Sequence, residues 1–397
     1  MAWRSIWDKA YRWINIWFTQ FRVVGLRNQR PKRDAQGIII IKIDAIGDFL
    51  IWLDSAQQYK KLYSGQKITL VCNTFCVEIA KNTGFFDEVI PIETKKFEFN
   101  VKYKKEIWSR FCDRAFHTLL QTAYSRTVDM DLLARNIPAK EKIAFVADES
   151  RVNLSRYITF RHIRKKLDDS YDRLIPSGGK NLMELERNAV FIRGLGFDFQ
   201  AGYPSLPQIS VHQNVIPQKP YTIIFPGASS GKKMWPINRY AQVGEYIIRK
   251  KEMDLYLCGG QNEEYLFHQF VEAMQHRELK DRVHNLFGKT TLSELAEIIR
   301  NAELLIGNDT SGIHFAAAVN TKGICIFGEF AYGRFLPYRC ERDCKEHKPI
   351  VVCSAKKDCA GCAYGKITAA CKENLLKTGR YQCVDEVQVD QVIRALS

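Results

Sequence analysis

The feature that most constrains the fold is an alternation of short apolar runs with amphipathic stretches on both sides of a proline-rich segment. Segment 202–220, GYPSLPQISVHQNVIPQKP, holds four prolines and little periodicity, so we predict an interdomain linker over 203–219. Apolar runs followed by helical patterns are typical of parallel strands joined by crossover helices. The predicted strands are 38–43, 67–72, 88–92, 116–120, 143–146, 221–225, 254–258, 304–306 and 323–327.

The two halves predict an α/β protein with two Rossmann-like domains facing a cleft. The first is expected over 37–202, and the second, with a cysteine-rich tail, over 220–397. An apolar fraction of 46% is ordinary for a globular protein, so a packed core is expected. Ligands of such sheets bind at the carboxyl ends of the strands, which is where candidate site residues are sought.

Charge and cysteine content bear on partners and compartment. A net charge of +15 favours an anionic partner, which can be nucleic acid, an acidic membrane surface or a phosphorylated substrate. Seven of the 12 cysteines fall between Cys340 and Cys383, and the others are scattered through apolar segments. Scattered cysteines without a recognisable secretion signal suggest a reducing compartment, so we expect a cytoplasmic location.

The first 36 residues combine an aromatic stripe with basic residues, eight Lys or Arg against two Asp. The longest uncharged run, 13–21, is too short to span a bilayer, and no signal-peptide pattern is present. We predict a basic membrane-interface arm over 1–36, in which residues 1–21 form an amphipathic helix. The alternative is a terminal helix packed on the protein's own body. The stripe consists of Trp3, Trp7, Ala10, Ile14, Trp17 and Phe21.

The segment IKIDAIGDFL ends the first strand in a Gly47-Asp48 pair and leads into a predicted helix over 48–62. A dinucleotide-binding fingerprint needs three glycines at set spacing, and this turn has only Gly47. The turn is therefore not a dinucleotide-binding loop, and this pattern by itself leaves the role of Asp48 open. The plainer interpretation is that Asp48 caps the helix.

The segment FPGASSGKKMWP follows the first strand of the second half. Ser229 and Ser230 offer hydroxyl groups, Lys232 and Lys233 offer charge, and Pro236 suits the first turn of a helix. Backbone N–H groups, hydroxyls and lysines at one place suit a phosphate. The alternative is a solvated surface loop.

The segment IGNDTSGIHFAAA has the pattern of a strand that leads into a helix. Thr310, Ser311 and Gly312 would expose N–H groups at the helix start, which forms an anion site, and His314 lies on the first turn. Otherwise Asp309 is a plain N-cap and His314 a core histidine.

The segment YLCGGQNEE places Glu263 after a strand that ends in two glycines. A carboxylate at this edge can accept hydrogen bonds from ribose hydroxyls. Alternatively, Glu263 only complements the helix dipole.

Taken in order, IIIIKIDAIGDFL, FPGASSGKKMWP, CGGQNEE and LIGNDTSGIHFAAAVNTKGICIFG resemble glycosyltransferase family 9, the ADP-heptose:lipopolysaccharide heptosyltransferases and their relatives. The resemblance covers about residues 37–335, and the tail more weakly. It implies the GT-B fold, with the donor mainly on the second domain and the acceptor on the first. It also implies an inverting reaction that needs no metal and no cofactor.

The same resemblance implies roles for individual residues. Asp48, after the Gly47 turn, would be the general base, and Lys233 would neutralise the leaving diphosphate. Asp309 would meet the donor sugar and Glu263 the ribose. The family usually has glycine directly after Asp-Thr, where this chain has Ser311, with Gly312 displaced by one position. The implied diphosphate-binding residues are Thr310, Ser311 and Gly312.

The cysteine-rich tail leaves two interpretations open. Cys359, Cys362, Cys371 and Cys383 could hold structural zinc, because Cys-x-x-Cys with two further cysteines supplies four ligands. The spacing of the later pair is irregular, and no second Cys-x-x-Cys occurs, so the alternative is buried thiols or occasional disulfides.

The sequence thus predicts an inverting, metal-independent glycosyltransferase at the inner face of the cytoplasmic membrane. The expected donor is ADP-heptose and the expected acceptor an anionic glycolipid, a lipopolysaccharide core or related lipid-linked saccharide. One alternative is the same fold using another nucleotide sugar. Another is a non-catalytic basic protein that binds membrane or nucleic acid. We expect no nucleic-acid partner, because no RNA-binding signature with interleaved aromatics occurs.

Overall fold

The computed structural model describes residues 28–32, 34–147, 167–179, 182–340, 342, 347–355, 359, 361–362 and 367–396. The chain forms two compact units, and each contains one six-stranded sheet. Described residues of 28–45, 56–179 and 190–199 belong to the first unit. Those of 46–55, 182–189 and 200–396 belong to the second.

The first unit is built on a sheet whose described strands all pair in parallel, in the order β3-β2-β1-β4-β5-β6. All five residues of the central strand, IIIIK, are buried, as expected for a parallel strand covered on both faces. Its strands are β1 Ile38–Lys42, β2 Ile68–Asn73, β3 Glu88–Ile92, β4 Phe116–Gln121, β5 Ala139–Phe145 and β6 Arg173–Ile175.

Helices connect the strands of this first sheet. The helix Ile46–Leu62 begins two residues before the predicted start, and its residues 46–55 belong to the second unit. Asn100 caps Val101–Ser109 and Thr127 caps Val128–Asn136, each by accepting a backbone N–H near the helix start. The helices after the first strand are Ile46–Leu62, Val77–Asn82, Thr94–Phe99, Val101–Ser109 and Val128–Asn136.

The second unit repeats the topology, with parallel strands in the order β12-β11-β10-β7-β8-β9. Both sheets therefore have the Rossmann strand order 3-2-1-4-5-6, which reverses direction between the first and fourth strands of each unit. The strands are β7 Tyr221–Phe225, β8 Asp254–Leu257, β9 Val283–Asn285, β10 Leu304–Asn308, β11 Gly323–Ile326 and β12 Ile350–Cys353.

One continuous apolar core of the second unit includes residues of the helices Ile237–Lys251, Tyr265–Ala273, Ala369–Thr378, Gln382–Asp385 and Val389–Arg394. Trp235 and Ile306 also belong to this core, and so do Cys371, Cys383 and Val384, so the tail is part of the unit. The unit also contains the helices Leu292–Arg300 and Ser311–Ala318, and it shares the helix Glu184–Gly194 with the first unit. The helix Leu292–Arg300 begins at a capping box, in which the Thr291 hydroxyl accepts the Glu294 N–H at 3.2 Å.

The predicted alternation of strands and helices is confirmed, with three strands missed. The missed strands are β6, β9 and β12, three or four residues long and each at the edge of its sheet. An edge strand is covered less completely, so it need not show a long apolar run. Among the described residues no helix combines the length and apolarity that crossing a bilayer requires. The predicted arm helix falls on residues outside the described ranges.

Candidate active site

Two loops of the second unit meet at one edge of its sheet. Strands β7 and β10 are parallel neighbours, with Phe225 opposite Gly307, so the loops that follow them leave the sheet side by side. This edge lies where the strand order reverses, the usual ligand position in such sheets. The FPGASSGKKMWP and NDTSG segments are therefore brought together, as the sequence predicted.

Asn308 joins these two loops and was not singled out from the sequence. Its side chain is fully buried at the end of β10. The Asn308 amide donates to the carbonyl of Pro226 at 2.7 Å, and its oxygen accepts the N–H of Trp235 at 3.0 Å. One amide thus satisfies buried backbone groups at both ends of the FPGASSGKKMWP segment and fixes its path.

The loop around Lys233 forms a short 3₁₀ turn, Gly231–Lys233, before the helix Ile237–Lys251. The Lys233 ammonium lies 5.4 Å from the centre of the Phe330 ring, while its neighbour Lys232 is exposed. Ser229 is exposed and Ser230 precedes the turn without a side-chain capping bond. Only one of the two lysines is thus held against the protein, at the predicted site.

The helix Ser311–Ala318 has Thr310, not Asp309, as its N-cap. The interpretation of Asp309 as a plain N-cap is therefore wrong, and among the described residues none hydrogen-bonds its carboxylate. The Thr310 hydroxyl is buried and has no hydrogen-bond partner within the described residues. The helix start thus presents unpaired backbone N–H groups and one orphaned hydroxyl, which is the arrangement of an anion site.

The two residues after Thr310 differ in their surroundings. A Cβ on Gly312 would lie 2.7 Å from the ring of Phe225, so glycine is needed here for the helix to pack on β7. Ser311, the first residue of the helix, is partly exposed and accommodates its own Cβ. Displacement of glycine by one position therefore has a packing reason within this chain.

The Gly47-Asp48 turn contacts this helix within the second unit. A Cβ on Gly47 would lie 3.0 Å from His314 Cδ2 and 3.8 Å from the Cα of Ser311. Gly47 does not adopt a left-handed φ, so the absence of a Cβ serves here for close approach to the helix rather than for a special backbone turn. Ala45 is the N-cap of the helix, so the interpretation of Asp48 as the cap is wrong; Asp48 lies in the first turn.

Electrostatics link four of the predicted residues. The pKa of Asp309 is raised to about 6, chiefly by burial; the charge of Lys233 opposes this rise and the charge of Asp48 adds to it. Burial, assisted by the positive charge of Lys233, lowers the pKa of His314 to about 4, so this imidazole is neutral at pH 7. The structure therefore brings Asp48, Lys233, Asp309 and His314 into one electrostatic neighbourhood.

Glu263 stands between two loops of the same unit. One carboxylate oxygen of Glu263 accepts the N–H of Gly260 at 3.0 Å, so this side chain caps the short turn Gln261–Glu263 to which it belongs. A Cβ on Gly227 would lie 2.5 Å from the other oxygen. Glu263 therefore lies directly against the FPGASSGKKMWP segment. This position is compatible with the other interpretation, in which Glu263 hydrogen-bonds a ribose.

The tail cysteines do not form a metal centre among the described residues, where no group of three or more ligand side chains is suitably placed to bind a metal. Cys371 and Cys383 are buried free thiols, and Cys359 and Cys362 are free and partly exposed. Burial raises the pKa of Cys383 to about 11, and the neighbouring Cys371, Cys362 and Cys359 contribute. Of the two interpretations, buried thiols describe Cys371 and Cys383.

Comparison with known proteins agrees with this site. Residues 188–361 match the sequence model of glycosyltransferase family 9 (heptosyltransferase). This match covers a little under half of the chain, so it shows what this segment is similar to. The matched region contains the β7 and β10 loops, so the similarity includes residues of the candidate site.

Relatives and solved structures extend this result. The chain is 33% identical over 112 residues to lipooligosaccharide heptosyltransferase 2 of Haemophilus influenzae, covering 28% of this chain and 32% of that protein, about a third. It is 26% identical to lipopolysaccharide heptosyltransferase 3 of Escherichia coli, covering 71% of this chain and 80% of that protein. The solved ADP-heptose LPS heptosyltransferase II of E. coli aligns with a TM-score of 0.63 at 16% identity, covering 91% and 97% of the two chains. This likeness confirms the predicted GT-B fold.

Proposed function

We propose that this protein is an inverting, metal-independent glycosyltransferase of family 9 that moves heptose from ADP-heptose onto a lipopolysaccharide core or related lipid-linked saccharide. One observation carries the proposal: Asp48 and Lys233 both act on the pKa of Asp309. A candidate base, a candidate diphosphate ligand and a candidate sugar ligand are therefore within electrostatic reach of one another.

In the proposed reaction the acceptor hydroxyl oxygen attacks the anomeric carbon of the donor sugar. The bond between that carbon and the diphosphate oxygen breaks, and the Asp48 carboxylate takes the hydroxyl proton. A single displacement inverts the anomeric centre. A carboxylate suits this role when held within hydrogen-bond reach of the hydroxyl.

The leaving nucleoside diphosphate gains negative charge, and the chain's own groups would stabilise it. Lys233 supplies a full positive charge, and the N–H groups of Ser311 and Gly312 lie at the positive end of a helix. The orphaned hydroxyl of Thr310 supplies a further donor at the same place. These groups support a mechanism in which no metal is needed to neutralise the diphosphate.

The remaining donor contacts follow from the positions of two carboxylates. The Asp309 carboxylate does not cap the helix, so it would accept hydrogen bonds from hydroxyls of the sugar. Glu263 has one oxygen engaged with Gly260 and another against Gly227, and would accept from a ribose hydroxyl. A ribose contact fits a nucleotide donor whatever its base.

The proposed acceptor and location rest on charge. A chain of net charge +15 is attracted to the phosphorylated core of a glycolipid and to an anionic membrane surface. We place the enzyme at the inner face of the cytoplasmic membrane, with the basic residues of 1–36 as its attachment. The relatives named as lipopolysaccharide and lipooligosaccharide heptosyltransferases support this acceptor class.

The deciding experiment is a transfer assay with a donor panel, using ADP-heptose, ADP-glucose, UDP-glucose and GDP-mannose against a lipopolysaccharide core truncated before its first heptose. We expect product only with ADP-heptose, inverted anomeric configuration by NMR, and unchanged turnover in EDTA. Transfer from another nucleotide sugar would support the alternative donor. Absence of transfer and of sugar-nucleotide hydrolysis, with tight binding of labelled RNA at physiological salt, would instead support a non-catalytic binding protein.

A further inference from the structure

A histidine–tyrosine pair lies beside the Gly47-Asp48 turn. His314, on the helix Ser311–Ala318, is buried, and its Nδ1 lies 2.6 Å from the hydroxyl oxygen of Tyr338. Tyr338 follows β11 in sequence and was not singled out from the sequence. This distance is at the short end of the range for hydrogen bonds of a hydroxyl group.

Both partners are electrically neutral at pH 7. Burial holds the pKa of the Tyr338 phenol well above its ordinary value, so the hydroxyl keeps its proton. Burial and the charge of Lys233 lower the pKa of His314, so its ring carries one N–H. Two protonation patterns are then available, depending on which partner donates.

The surroundings favour donation by the tyrosine. Among the described residues, His314 Nδ1 is the one acceptor within hydrogen-bond distance of the Tyr338 hydroxyl, so pointing at the ring gives the hydroxyl proton its partner in the protein. A donating hydroxyl requires a bare Nδ1, and the ring proton must then sit on Nε2. Neighbouring rings maintain this geometry: Tyr203 packs edge-on to Tyr338, with centroids 5.0 Å apart.

The other edge of the imidazole faces the site. A Cβ on Gly47 would lie 3.0 Å from His314 Cδ2 and 3.8 Å from Nε2, so this edge points at the turn that carries Asp48. An Nε2–H there is a neutral donor at the position where the diphosphate is proposed to leave. A neutral donor also preserves the basicity of the Asp48 carboxylate. A nearby positive charge would lower that basicity, which a general base needs.

We propose that Tyr338 is a positioning residue that locks His314 in the Nε2–H tautomer and so aims a neutral hydrogen-bond donor at the leaving diphosphate. The inference rests on the proposed function for the identity of the ligand. The tautomer itself does not depend on any activity.

The first test is NMR of protein labelled with ¹⁵N in its histidines. Long-range proton–nitrogen correlations report which ring nitrogen carries the proton, and His314→Gln assigns the signal by removing it. We expect the Nε2–H pattern in the parent protein and a mixture of tautomers in Tyr338→Phe. Tyr332→Phe, which changes a more exposed tyrosine of the same region, is the control. An Nδ1–H pattern in the parent protein, or an unchanged pattern in Tyr338→Phe, would overturn the proposal.

The second test is a double-mutant cycle on transfer. Tyr338→Phe should lower kcat about tenfold with little change in the donor KM, because a wrong tautomer weakens a contact to the leaving group. In a His314→Gln background, where an amide supplies the donor without a tautomer, the same change should cost less than about twofold. Equal losses in both backgrounds would contradict coupling between the residues. If the parent protein transfers no sugar, the proposed function fails and NMR alone decides the tautomer.

Discussion

The negative charge of Asp48 raises the pKa of Asp309, although 261 positions separate the two carboxylates in the chain. Lys233 opposes this effect, so one neighbouring acid and one neighbouring cation both act on the Asp309 carboxylate. Both acids belong to the second unit, because Asp48 lies in the first turn of the shared helix Ile46–Leu62. Charges that are distant along the chain therefore act on one carboxylate of the candidate site.

Asp48→Asn should abolish chemistry without abolishing donor binding. The amide keeps the shape but cannot take a proton, so we expect transfer to fall by about a hundredfold or more. ADP affinity should stay equal or rise, since a negative charge near the diphosphate is removed. Single-turnover assays and calorimetric titration with ADP measure the two effects. Near-full turnover in this variant would remove Asp48 from the mechanism.

Asp309→Asn should stabilise the protein at neutral pH. The folded-state pKa of Asp309, about 6, lies above its ordinary value of 3.8, so the folded protein binds more protons between these values. Stability of the parent protein therefore falls as pH rises through about 4 to 6. The asparagine variant cannot ionise at this position, so its free energy of unfolding should exceed that of the parent protein by about 1–3 kcal/mol at pH 7.5. Below about pH 4 the two free energies of unfolding should be equal.

Thermal melts between pH 4 and 8 measure this difference, at about 2–4 °C per kcal/mol for a domain of this size. Asp281→Asn, at an exposed position of the same unit, is the matched control and should show no such crossover. Parallel melting curves for the Asp309 variant and the parent across the range would refute the assignment of Asp309 as a strained acid. Donor binding should weaken in the Asp309 variant, because a proposed contact to the sugar is lost. This variant should therefore be more stable than the parent protein and less active.

The two adjacent lysines should differ in their effect on ADP affinity. Lys233→Ala removes a charge-assisted contact and should weaken ADP binding by about 1.5–3 kcal/mol. Lys232→Ala changes an exposed side chain and should leave affinity within about threefold, because a screened surface charge contributes little. Raising the salt concentration should reduce any small effect of Lys232→Ala on ADP affinity, but it should not reduce the effect of Lys233→Ala. Similar losses in the two variants would place the diphosphate elsewhere.

The N-terminal arm should bind anionic membrane through residues 1–27. Residues 28–30 are fastened to the first unit: Lys142 donates to Asn28 at 2.8 Å and Arg30 pairs with Asp172 at 2.7 Å. A deletion of 2–27 therefore spares these contacts. We expect the truncated protein to keep its melting temperature and its ADP affinity, and to lose sedimentation with anionic liposomes that the full chain binds.

The full chain's binding should weaken with salt, since each basic residue near an anionic surface contributes roughly 1 kcal/mol. Replacing Trp3, Trp7 and Trp17 with alanine keeps the charge and tests the apolar contribution separately. Equal sedimentation of the truncated and full-length proteins would contradict the membrane prediction. A large fall in melting temperature on deletion would favour an arm packed on the protein's own body.

The sequence was a good guide to elements whose signal is local. Four consecutive isoleucines before the Gly47 turn predict a central buried strand, and β1 is fully buried. The Thr291 capping box depends on residues three apart, and it forms as expected. The strands that were missed, β6, β9 and β12, owe their state to a neighbouring strand rather than to their own pattern. Pairing partners distant in the chain cannot be read from three or four residues.

The candidate site likewise combines residues that a local sequence pattern indicates with features that only the tertiary structure shows. Asp48, Lys233, Asp309 and Glu263 could be nominated from short motifs, because each stands at the end of a recognisable strand. The tertiary structure instead determined which residue caps the helix Ser311–Ala318. Thr310 is the N-cap, so the Asp309 carboxylate is not used for capping.

The sequence by itself therefore determined the alternating α/β architecture, the family resemblance and the residue types at the strand ends. The tertiary structure decided how those residues act on one another. Asn308 ties two loops, and Tyr338 bonds His314 across 24 positions, through contacts that leave no periodic trace. The raised pKa of Asp309 likewise arises from burial and from charges brought near by folding. Desolvation and Coulomb interactions depend on distance in space, and the order of residues along a chain does not specify that distance.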